Sequence, residues 1–333
     1  INDNDLTLLI KEINKMYSIT KLIIMGDKYQ LEAINQETES IAFDFENCFE
    51  LKSIVRQAEN SNIIRYATEV RKIQDRIDNN EKIPIKTKLK PELNPDVNDL
   101  ILLKDSKEFL EMMLHDFKSD DYQNFPDFVK CIAYRNVTID KINMLIRKNI
   151  FGENVDLITV GENITLSSFV SDPETGINLY DSSDCLEIVE ILESGIYDNR
   201  ENHHGVRIQF PYYRCLVSRR YDGLNGEMNI INPNFKQKFE ADVSEWGKII
   251  KTQEKAKDIY RLQFYLFKKK FHSVKYGYAG TSHSMQGGTY SNVYCIEDDI
   301  EQITKATVKG LWKSKYVAYT RASKKLIILN RFK

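Results

Sequence analysis

Four short runs of apolar residues constrain the fold of this chain more than any other feature. They are Lys21–Met25, Phe128–Tyr134, Asn292–Ile296 and Lys325–Leu329. A strand that helices cover on both faces has a continuous apolar run, whereas a strand with one solvated face alternates apolar and polar residues. The runs therefore predict central strands of a parallel sheet and an α/β architecture for both ends of the chain. Apolar residues at helical spacing predict helices over Leu6–Ile13 and Asn62–Arg76.

The middle of the chain has a different pattern. From about Gly161 to Phe235, short strand-like segments are separated by polar turns such as Asn225-Gly. Alternation in Cys185–Leu192 and in Val206–Val217 is typical of antiparallel strands. We therefore predict an all-β insertion shaped as a small barrel. The helical spacing in Val243–Lys270 predicts a return of the chain to the α/β body.

Charge is balanced over the whole chain but not along it. Lys and Arg total 47 against 49 Asp and Glu, so the net charge of −2 gives no general attraction to a polyanion. From Lys305 to Lys333, however, nine Lys or Arg occur without an Asp or Glu, just after a mostly acidic stretch at 297–301. This run predicts a basic C-terminal face, a local patch suited to nucleic-acid phosphates.

The cysteines and the hydropathy bear on the compartment. The five cysteines lie far apart and form no CxxC pair, which fits neither a disulfide framework nor a zinc cluster. No apolar run approaches the ~20 residues that a membrane-spanning helix needs. We therefore expect no membrane partner and a reducing compartment, which is the cytoplasm, or the host cytoplasm if the protein is viral.

Two blocks in the first sixty residues carry groups suited to an anion. Asp27 and Gln30 follow the first apolar run, so they are predicted at the carboxyl edge of the sheet, where such folds bind ligands. The alternative is an ordinary turn with a solvated Gln30. Arg56 follows a strand-like segment and precedes a helix, and its planar guanidinium could reach an anion. The alternative for Arg56 is a surface salt bridge.

The block Tyr278–Tyr290 is the strongest functional candidate. Eight of its thirteen residues are Gly, Ala, Ser or Thr, which lets the backbone approach a phosphate closely and offers hydroxyl groups. His283 could be a core histidine, but its hydroxyl-bearing neighbours favour a polar surface. It has no second His or Cys at metal spacing, so a metal role is rejected.

Arg321 follows a segment in which Val317 and Ala318 are predicted to be buried in a helix. An arginine near the end of that helix is a candidate arginine finger, which stabilises charge on a transferred phosphoryl group. The alternative is a C-terminal helix arginine that complements the helix dipole.

Taken in order and spacing, these blocks resemble the later motifs of superfamily 1 helicases, specifically the B branch that includes RecD and Dda. The matches are Gly26-Asp27 with Gln30-Leu31 for motif III, Arg56-Gln57 for motif IV, Ala133–Asn136 with Asn143 for motif IVa, Thr281–Thr289 for motif V, and Tyr316–Ala322 for motif VI.

The resemblance implies two RecA-like domains that close on ATP while gripping single-stranded DNA. It also implies 5′ to 3′ movement and a small SH3-like β-barrel inserted in the second domain. On this basis, residues 1–50 would end the first RecA-like domain, residues 51–160 and 271–333 would form the second, and residues 161–270 would form the barrel insertion.

The resemblance also implies roles for individual residues. Those that would contact or sense the γ-phosphate as catalytic groups are Gln30, Arg56 and Arg321. Those that would lie near the nucleotide are Gly26, Asp27, Gly287 and Thr289. Those that would face the DNA are Thr281, Ser282, His283, Gln286 and Arg135. Motif V usually has Lys after its His, so Ser284 predicts a weaker contact with DNA phosphate.

The sequence contains no GxxxxGK[ST] segment, so it lacks the loop and lysine that cradle nucleotide phosphates. The acidic motif that would hold Mg²⁺ is also absent. Both would precede Gly26, and we expect the chain to be a fragment whose N-terminal RecA-like half, a partner needed for ATP and Mg²⁺, lies upstream. Alone it should be nearly inert as an ATPase. The competing interpretation is a catalytically inactive helicase-like DNA-binding or structural protein.

Overall fold

The computed structural model describes most of the chain. Outside it lie residues 1, 16–20, 33–39, 46, 50–59, 85, 173–174, 183, 200–206, 253–256, 303–306 and 332–333, and for residues 252 and 257–260 only the backbone is described. Arg56 and Gln57, the predicted motif IV, fall outside the described residues.

The α-helices are α1 (Asp3–Ile13), α2 (Asn62–Asp78), α3 (Ser106–Phe117), α4 (Asp120–Asn124), α5 (Asn136–Phe151), α6 (Lys236–Thr252), α7 (Lys257–Lys270), α8 (Glu297–Glu301) and α9 (Val308–Thr320). The strands are β1 (Leu100–Leu103), β2 (Val129–Ala133), β3 (Asn163–Leu166), β4 (Val170–Ser171), β5 (Asn178–Tyr180), β6 (Cys185–Asp198), β7 (Gln209–Arg219), β8 (Asn225–Ile231), β9 (Phe271–His272), β10 (Val274–Tyr276), β11 (Ala279–Thr281), β12 (Tyr290–Ile296) and β13 (Ala322–Leu329). Short 3-10 helices cover Ile41–Phe43 and Pro233–Phe235.

The described residues form two compact units. The first comprises residues 1–117, 127–142 and 279–333, and the second comprises residues 118–126 and 143–278. The predicted three-part division at residues 50, 160 and 270 remains a prediction.

The first unit is a mixed α/β structure built on a parallel sheet. Its strand order is β1-β13-β12-β2-β11, and each neighbouring pair is parallel. The apolar runs at Phe128–Tyr134, Asn292–Ile296 and Lys325–Leu329 form β2, β12 and β13, as predicted. All five residues of β2 are buried, because helices cover both faces of a central parallel strand.

The prediction of a strand at Lys21–Met25 is wrong. This run is irregular and largely exposed, with Met25 88% exposed. A strand is stable only when neighbours accept and donate its backbone hydrogen bonds. Among the described residues before Leu100 there is no strand to pair with it.

Helix α2 confirms the prediction over Asn62–Arg76 and covers the sheet together with α9. The hydroxyl of Ser61 caps its first turn by accepting the Ile63 amide at 3.1 Å. Its buried face includes Ile63, Tyr66 and Val70. The ring of Tyr66 lies 5.3 Å from that of Tyr319 on α9, so these two helices pack through an aromatic pair. The helix predicted over Leu6–Ile13 is α1.

The second unit is organised around a six-stranded sheet. Its order is β10-β3-β6-β7-β8-β9, in which β6 and β7 form a long antiparallel pair, as the alternation predicts. One buried core lies on this sheet and includes Ile164, Leu186 and Val217. The closed, SH3-like form of this insertion remains a prediction. No helix among the described residues is long and apolar enough to span a membrane.

The helices predicted over Val243–Lys270 exist, but they do not return the chain to the α/β body. Helices α6 and α7 belong to the second unit. Their buried residues Trp246 and Phe267 pack with Phe210 of β7 and Phe271 of β9 in a second core. Apolar side chains at helical spacing predict a helix, but which sheet they cover depends on tertiary packing.

His272 makes the second unit sensitive to acid. Burial lowers the pKa of its imidazole to about 4, against about 6.5 in an unfolded chain. The folded state binds a proton on His272 less tightly than the unfolded state does. The stability of the second unit that depends on a neutral His272 is therefore complete above pH 6.5 and is lost as the pH falls toward 4. The full shift corresponds to about 3 kcal/mol.

We expect His272→Gln to remove this part of the pH dependence of urea unfolding, whereas His115→Gln, at an exposed position, should leave it unchanged. Parallel pH profiles for the parent and His272→Gln would contradict the assignment.

Candidate functional site

The segment from Asp27 to Glu32 is a turn that its own side chains hold in place. The Gln30 amide donates to the Asp27 carbonyl at 3.0 Å, and Gln30 Nε2 donates to Asp27 Oδ2 at 3.0 Å. Asp27 Oδ1 also accepts the Tyr29 amide at 3.0 Å. Gln30 is therefore oriented by Asp27, although the described residues before it contain no strand.

Tyr29 anchors this segment on two helices. Its hydroxyl donates to Asp75 Oδ1 of α2 at 2.9 Å, and its ring lies 6.0 Å from the ring of Tyr316 on α9. The Arg71 guanidinium lies over the Tyr29 ring, 4.2 Å from its centroid. Burial, together with the charge of Asp27, raises the pKa of Tyr316 to about 12, so this phenol is protonated at neutral pH.

The loop from Thr281 to Thr289 begins with a turn closed by hydroxyl groups. Ser284 Oγ accepts the Thr281 amide at 3.0 Å, and the Ser284 amide donates to Thr281 Oγ1 at 3.2 Å. Gly287 has a φ of 91°, a backbone conformation that favours glycine. The small residues of this loop therefore serve its backbone path.

Gln286 joins this loop to the Asp27–Glu32 segment. Its Nε2 atom lies 3.2 Å from the Leu31 carbonyl and 3.4 Å from Gln30 Oε1, although Gln286 and Gln30 are 256 residues apart in sequence. Gln286 was predicted on the DNA side, and the structure places it beside the predicted γ-phosphate sensor. The predicted motifs III and V therefore meet at a pair of amide side chains.

Arg321 joins the same loop to α9. It is buried at the C-terminal cap of the helix, where Nε donates to the Val317 carbonyl at 3.1 Å. This bond is the one expected of an arginine that completes a helix end. Its Nη1 atom also donates to the Gly288 carbonyl at 3.1 Å, which brings the predicted motifs V and VI together.

The other residues predicted near the nucleotide are placed as follows. Gly287 and Thr289 are exposed on the same loop as Gly288. Gly26 is exposed, and a Cβ at its position would come 3.0 Å from the Phe43 ring. Their contacts with nucleotide remain predictions.

Arg135 is fixed at the end of β2 by a buried carboxylate. Asp299 Oδ2 accepts the amides of Tyr134 and Arg135, both at 2.8 Å, and Asp299 Oδ1 accepts Arg135 Nε and the Thr138 hydroxyl, both at 2.6 Å. Burial by itself would raise the pKa of Asp299, but these hydrogen bonds hold it below its usual value. The guanidinium of Arg135 remains about half exposed.

His283 lies close to the same strand end. Its ring is 6.1 Å from that of Tyr134, in an edge-on arrangement, and it is exposed. Nearby atoms desolvate the imidazole and lower its pKa below the usual value, while the charge of Glu32 acts in the opposite direction. His283 is therefore neutral at pH 7. Ser282, by contrast, is fully buried, so its hydroxyl does not share the exposed face of His283.

Helix α8 supplies buried carboxylates that the sequence interpretation passed over. Lys315 of α9, also buried, lies 2.9 Å from Glu297 Oε1 and 2.6 Å from Glu301 Oε1. Glu297 additionally accepts the Tyr319 hydroxyl at 2.7 Å and the Asn330 amide at 2.6 Å. Acidic residues directly after an apolar strand lie at the carboxyl edge of a sheet, and that position was the available signal.

Among the described residues, buried side chains interrupt the predicted basic C-terminal face. Lys313, Lys315 and Arg321 are buried, and Arg331 lies 2.7 Å from the buried carboxylate of Asp298. A buried cation needs an anionic or hydrogen-bonding partner, and the acidic stretch supplies much of it. Part of this run of positive charge therefore lies inside the fold.

The described side chains provide donors for a phosphate but no metal site. Gln30 and Arg321 are an amide and a guanidinium, which are groups that bind phosphate oxygens. In the part of the chain that the structure describes, no three His, Cys, Asp or Glu residues are grouped to hold a metal ion. The expectation that the ligands of Mg²⁺ would come from an upstream motif therefore remains a prediction.

No family model matches the chain. It is similar to uncharacterized protein R530 of Acanthamoeba polyphaga mimivirus, with 21% identity over 371 residues, covering 96% of this chain and 71% of that protein. It is also similar to the crystal structure of Pif1 helicase from Bacteroides in complex with ADP-AlF3 and ssDNA, with 14% identity, a TM-score of 0.39, and coverage of 92% of this chain and 62% of that chain.

Pif1 helicase from Candida albicans is a further similar structure, with 13% identity, a TM-score of 0.32, and coverage of 92% of this chain and 63% of that chain. The chain thus spans about three fifths of the length of these two helicases. At identities and TM-scores this low, the matches by themselves assign neither an activity nor a site.

Removing Lys315 should destabilise the first unit strongly. Lys315→Met keeps most of the volume but leaves Glu297 and Glu301 buried without their cation, which typically costs about 3–5 kcal/mol. Lys309→Met is the matched control, because Lys309 pairs with the partly exposed Asp78 and such pairs contribute about 1 kcal/mol or less. Urea unfolding measures both variants. Equal losses in the free energy of unfolding for the two variants would show that the buried cluster contributes no more to stability than an exposed ion pair.

Proposed function

We propose that this chain is the C-terminal part of an ATP-dependent DNA helicase of superfamily 1B that moves 5′ to 3′ on single-stranded DNA. One observation carries the proposal. Three blocks that resemble separate helicase motifs are joined by two hydrogen bonds. Gln286 Nε2 lies 3.4 Å from Gln30 Oε1, and Arg321 Nη1 lies 3.1 Å from the Gly288 carbonyl of the same loop as Gln286. Residues that serve only as isolated turns and helix ends have no need to meet in this way.

On the nucleotide side, Gln30 and Arg321 would contact the γ-phosphate. ATP, when bound, would supply the phosphoryl group whose transfer to water drives the motor. Gln30 is held by Asp27, so its amide is already oriented for a phosphate oxygen or the attacking water. Arg321 would stabilise the charge that develops on the phosphoryl group, after exchanging part of its contact with the Gly288 carbonyl.

On the DNA side, Thr281, His283 and Arg135 would contact the backbone of the single strand. Arg135 offers a charge whose position Asp299 fixes, and His283, being neutral, would donate a hydrogen bond to a phosphate. The loop Thr281–Thr289 connects the two sides, with His283 near Tyr134 at one end and Gly288 at Arg321 at the other. Movement of Arg321 on hydrolysis would thus shift the residues that hold DNA.

The second candidate is a catalytically inactive helicase-like DNA-binding protein. It is favoured by the hydrogen bond of Arg321 Nε to the Val317 carbonyl, which gives Arg321 a role in ending helix α9. The upstream reading frame separates the two candidates. A phosphate-binding loop within roughly one domain length before Ile1 favours the motor, and its absence favours the inactive relative.

Arg321→Ala in the complete protein should lower kcat for ATP hydrolysis by roughly 10³-fold or more, the scale of an arginine finger, while DNA affinity changes little. Arg76→Ala, on the exposed face of α2, is the control. Nucleotide binding and the unfolding midpoint are measured alongside. A variant that loses stability but hydrolyses ATP at the parent rate in its folded fraction would leave Arg321 with the helix-end role alone.

Binding to a fluorescein-labelled oligo-dT should exceed binding to a blunt duplex at matched salt, because the contacts are to phosphates and stacked bases. Arg135→Ala should reduce the slope of log affinity against log salt by about 0.7, the value for one phosphate on a single strand. The fold should survive, because Asp299 keeps the two amides and Thr138. Lys107→Ala, on an exposed face of α3, is the control. Fluorescence anisotropy that shows equal affinity for duplex and single strand would contradict the DNA-side assignment.

A further inference from the structure

Lys313 is a buried cation with a partner far away in sequence. Its Nζ atom lies 2.5 Å from Glu32 Oε1, and only 2% of the Lys313 side chain is exposed. Burying an ammonium group is unfavourable unless a carboxylate or other acceptor compensates for lost hydration. The position of α9 that carries Lys313 is therefore tied to the position of Glu32.

Glu32 lies where three of the proposed functional groups meet. It directly follows Leu31, whose carbonyl accepts Gln286 Nε2 at 3.2 Å. Its carboxylate is also close enough to His283 to act on the charge of that imidazole. Lys313 lies two turns before Arg321 on the same helix. One ion pair thus connects the Gln30 segment, the DNA-side histidine and the arginine helix.

Several other contacts of the Asp27–Glu32 segment join neutral groups. Gln286 makes two long amide contacts, and Tyr29 makes one hydroxyl bond to α2 and a ring contact to α9. Neutral hydrogen bonds of this sort contribute less than a hydrogen bond between two charged groups. Tyr316 of α9 also hydrogen-bonds the Asp27 carboxylate, but Glu32–Lys313 is the described contact of Asp27–Glu32 with α9 in which both groups are charged.

We propose that Glu32 and Lys313 form a clasp, an ion pair that couples the Gln30 segment to α9. Through it, binding of single-stranded DNA near His283 would change the positions of Gln30 and Arg321. This inference rests on the proposed function. Glu32 and Lys313 are positioning residues: neither touches the reacting groups, and each acts by fixing the segment or the helix that carries them. Breaking the clasp should uncouple DNA binding from hydrolysis.

The alternative is a tie that only stabilises the fold, and kinetic coupling distinguishes the two. In the complete protein, Glu32→Gln keeps the shape of the side chain and removes its charge. We expect DNA stimulation of kcat to fall by roughly 5- to 150-fold, the usual range for coupling between two sites. The basal rate without DNA, the KM for ATP and the affinity for oligo-dT should each stay within about twofold, well below that range.

Rescue variants make the test specific. Glu32→Asp should retain part of the stimulation, and Glu32→Lys combined with Lys313→Glu should restore more of it than either single change. The matched control is Glu69→Gln, which breaks the 2.6 Å pair with Lys72 on the exposed face of α2 and should not alter stimulation.

Two results would overturn the clasp by itself. One is a Glu32→Gln variant with a lower unfolding midpoint but full DNA stimulation, and the other is an equal loss of basal and stimulated rates. A parent protein without any DNA-stimulated ATP hydrolysis would instead remove the proposed function, and the clasp with it. Failure of the clasp and failure of the function are therefore separate observations.

Discussion

The buried carboxylates of α8 are the interaction on which the first unit depends. Asp299 accepts the backbone amides of Tyr134 and Arg135, directly before α5, and also binds the Arg135 side chain, whereas Glu297 and Glu301 surround Lys315 in the middle of α9. One five-residue helix at the end of β12 therefore positions both ends of the candidate site, which are Arg135 and the helix that leads to Arg321. Displacement of α8 would move both.

Charged contacts of this kind specify geometry more than they add stability. Taking ions out of water costs much of what their attraction returns, and apolar side chains of the same volume often stabilise a core equally well. Apolar packing, however, tolerates small shifts, whereas Asp299 accepts donors from two backbone amides and two side chains only in one arrangement. For a site whose parts must align within a fraction of an ångström, that directionality is the relevant property.

The loop Thr281–Thr289 has the opposite character. Its residues are mostly exposed, its turns are closed by its own hydroxyl groups, and Gly287 adopts a conformation that few other residues tolerate. It is attached through Gln286 to Leu31 and through Gly288 to Arg321. A segment that is fixed at a few points and has little buried apolar area can shift between them without breaking the core.

Local pattern was enough to predict the central strands of the parallel sheet and several of the helices. The runs that became β2, β12 and β13 are continuous and apolar because both faces of those strands are covered, and the spacing in α1, α2, α6 and α7 follows from a single buried helix face. Lys21–Met25 is a similar apolar run, but the described residues provide no neighbouring strand for it, and strand formation depends on such a neighbour. The blocks that contain Gln30, Gly287 and Arg321 were also found in the sequence, through the order and spacing in which they resemble helicase motifs.

Only the tertiary structure determines which charged groups and which motifs are in contact. The sequence shows nine cations from Lys305 to Lys333 beside an acidic stretch, and it is chain reversal between β12 and α9 that buries Lys315 among those acids instead of presenting it to solvent. The contacts of Gln286 with Gln30 and of Lys313 with Glu32 join residues more than 250 positions apart. Periodicity reports the burial of a residue on its own element, whereas these pairs depend on how distant elements pack, and no local pattern encodes that.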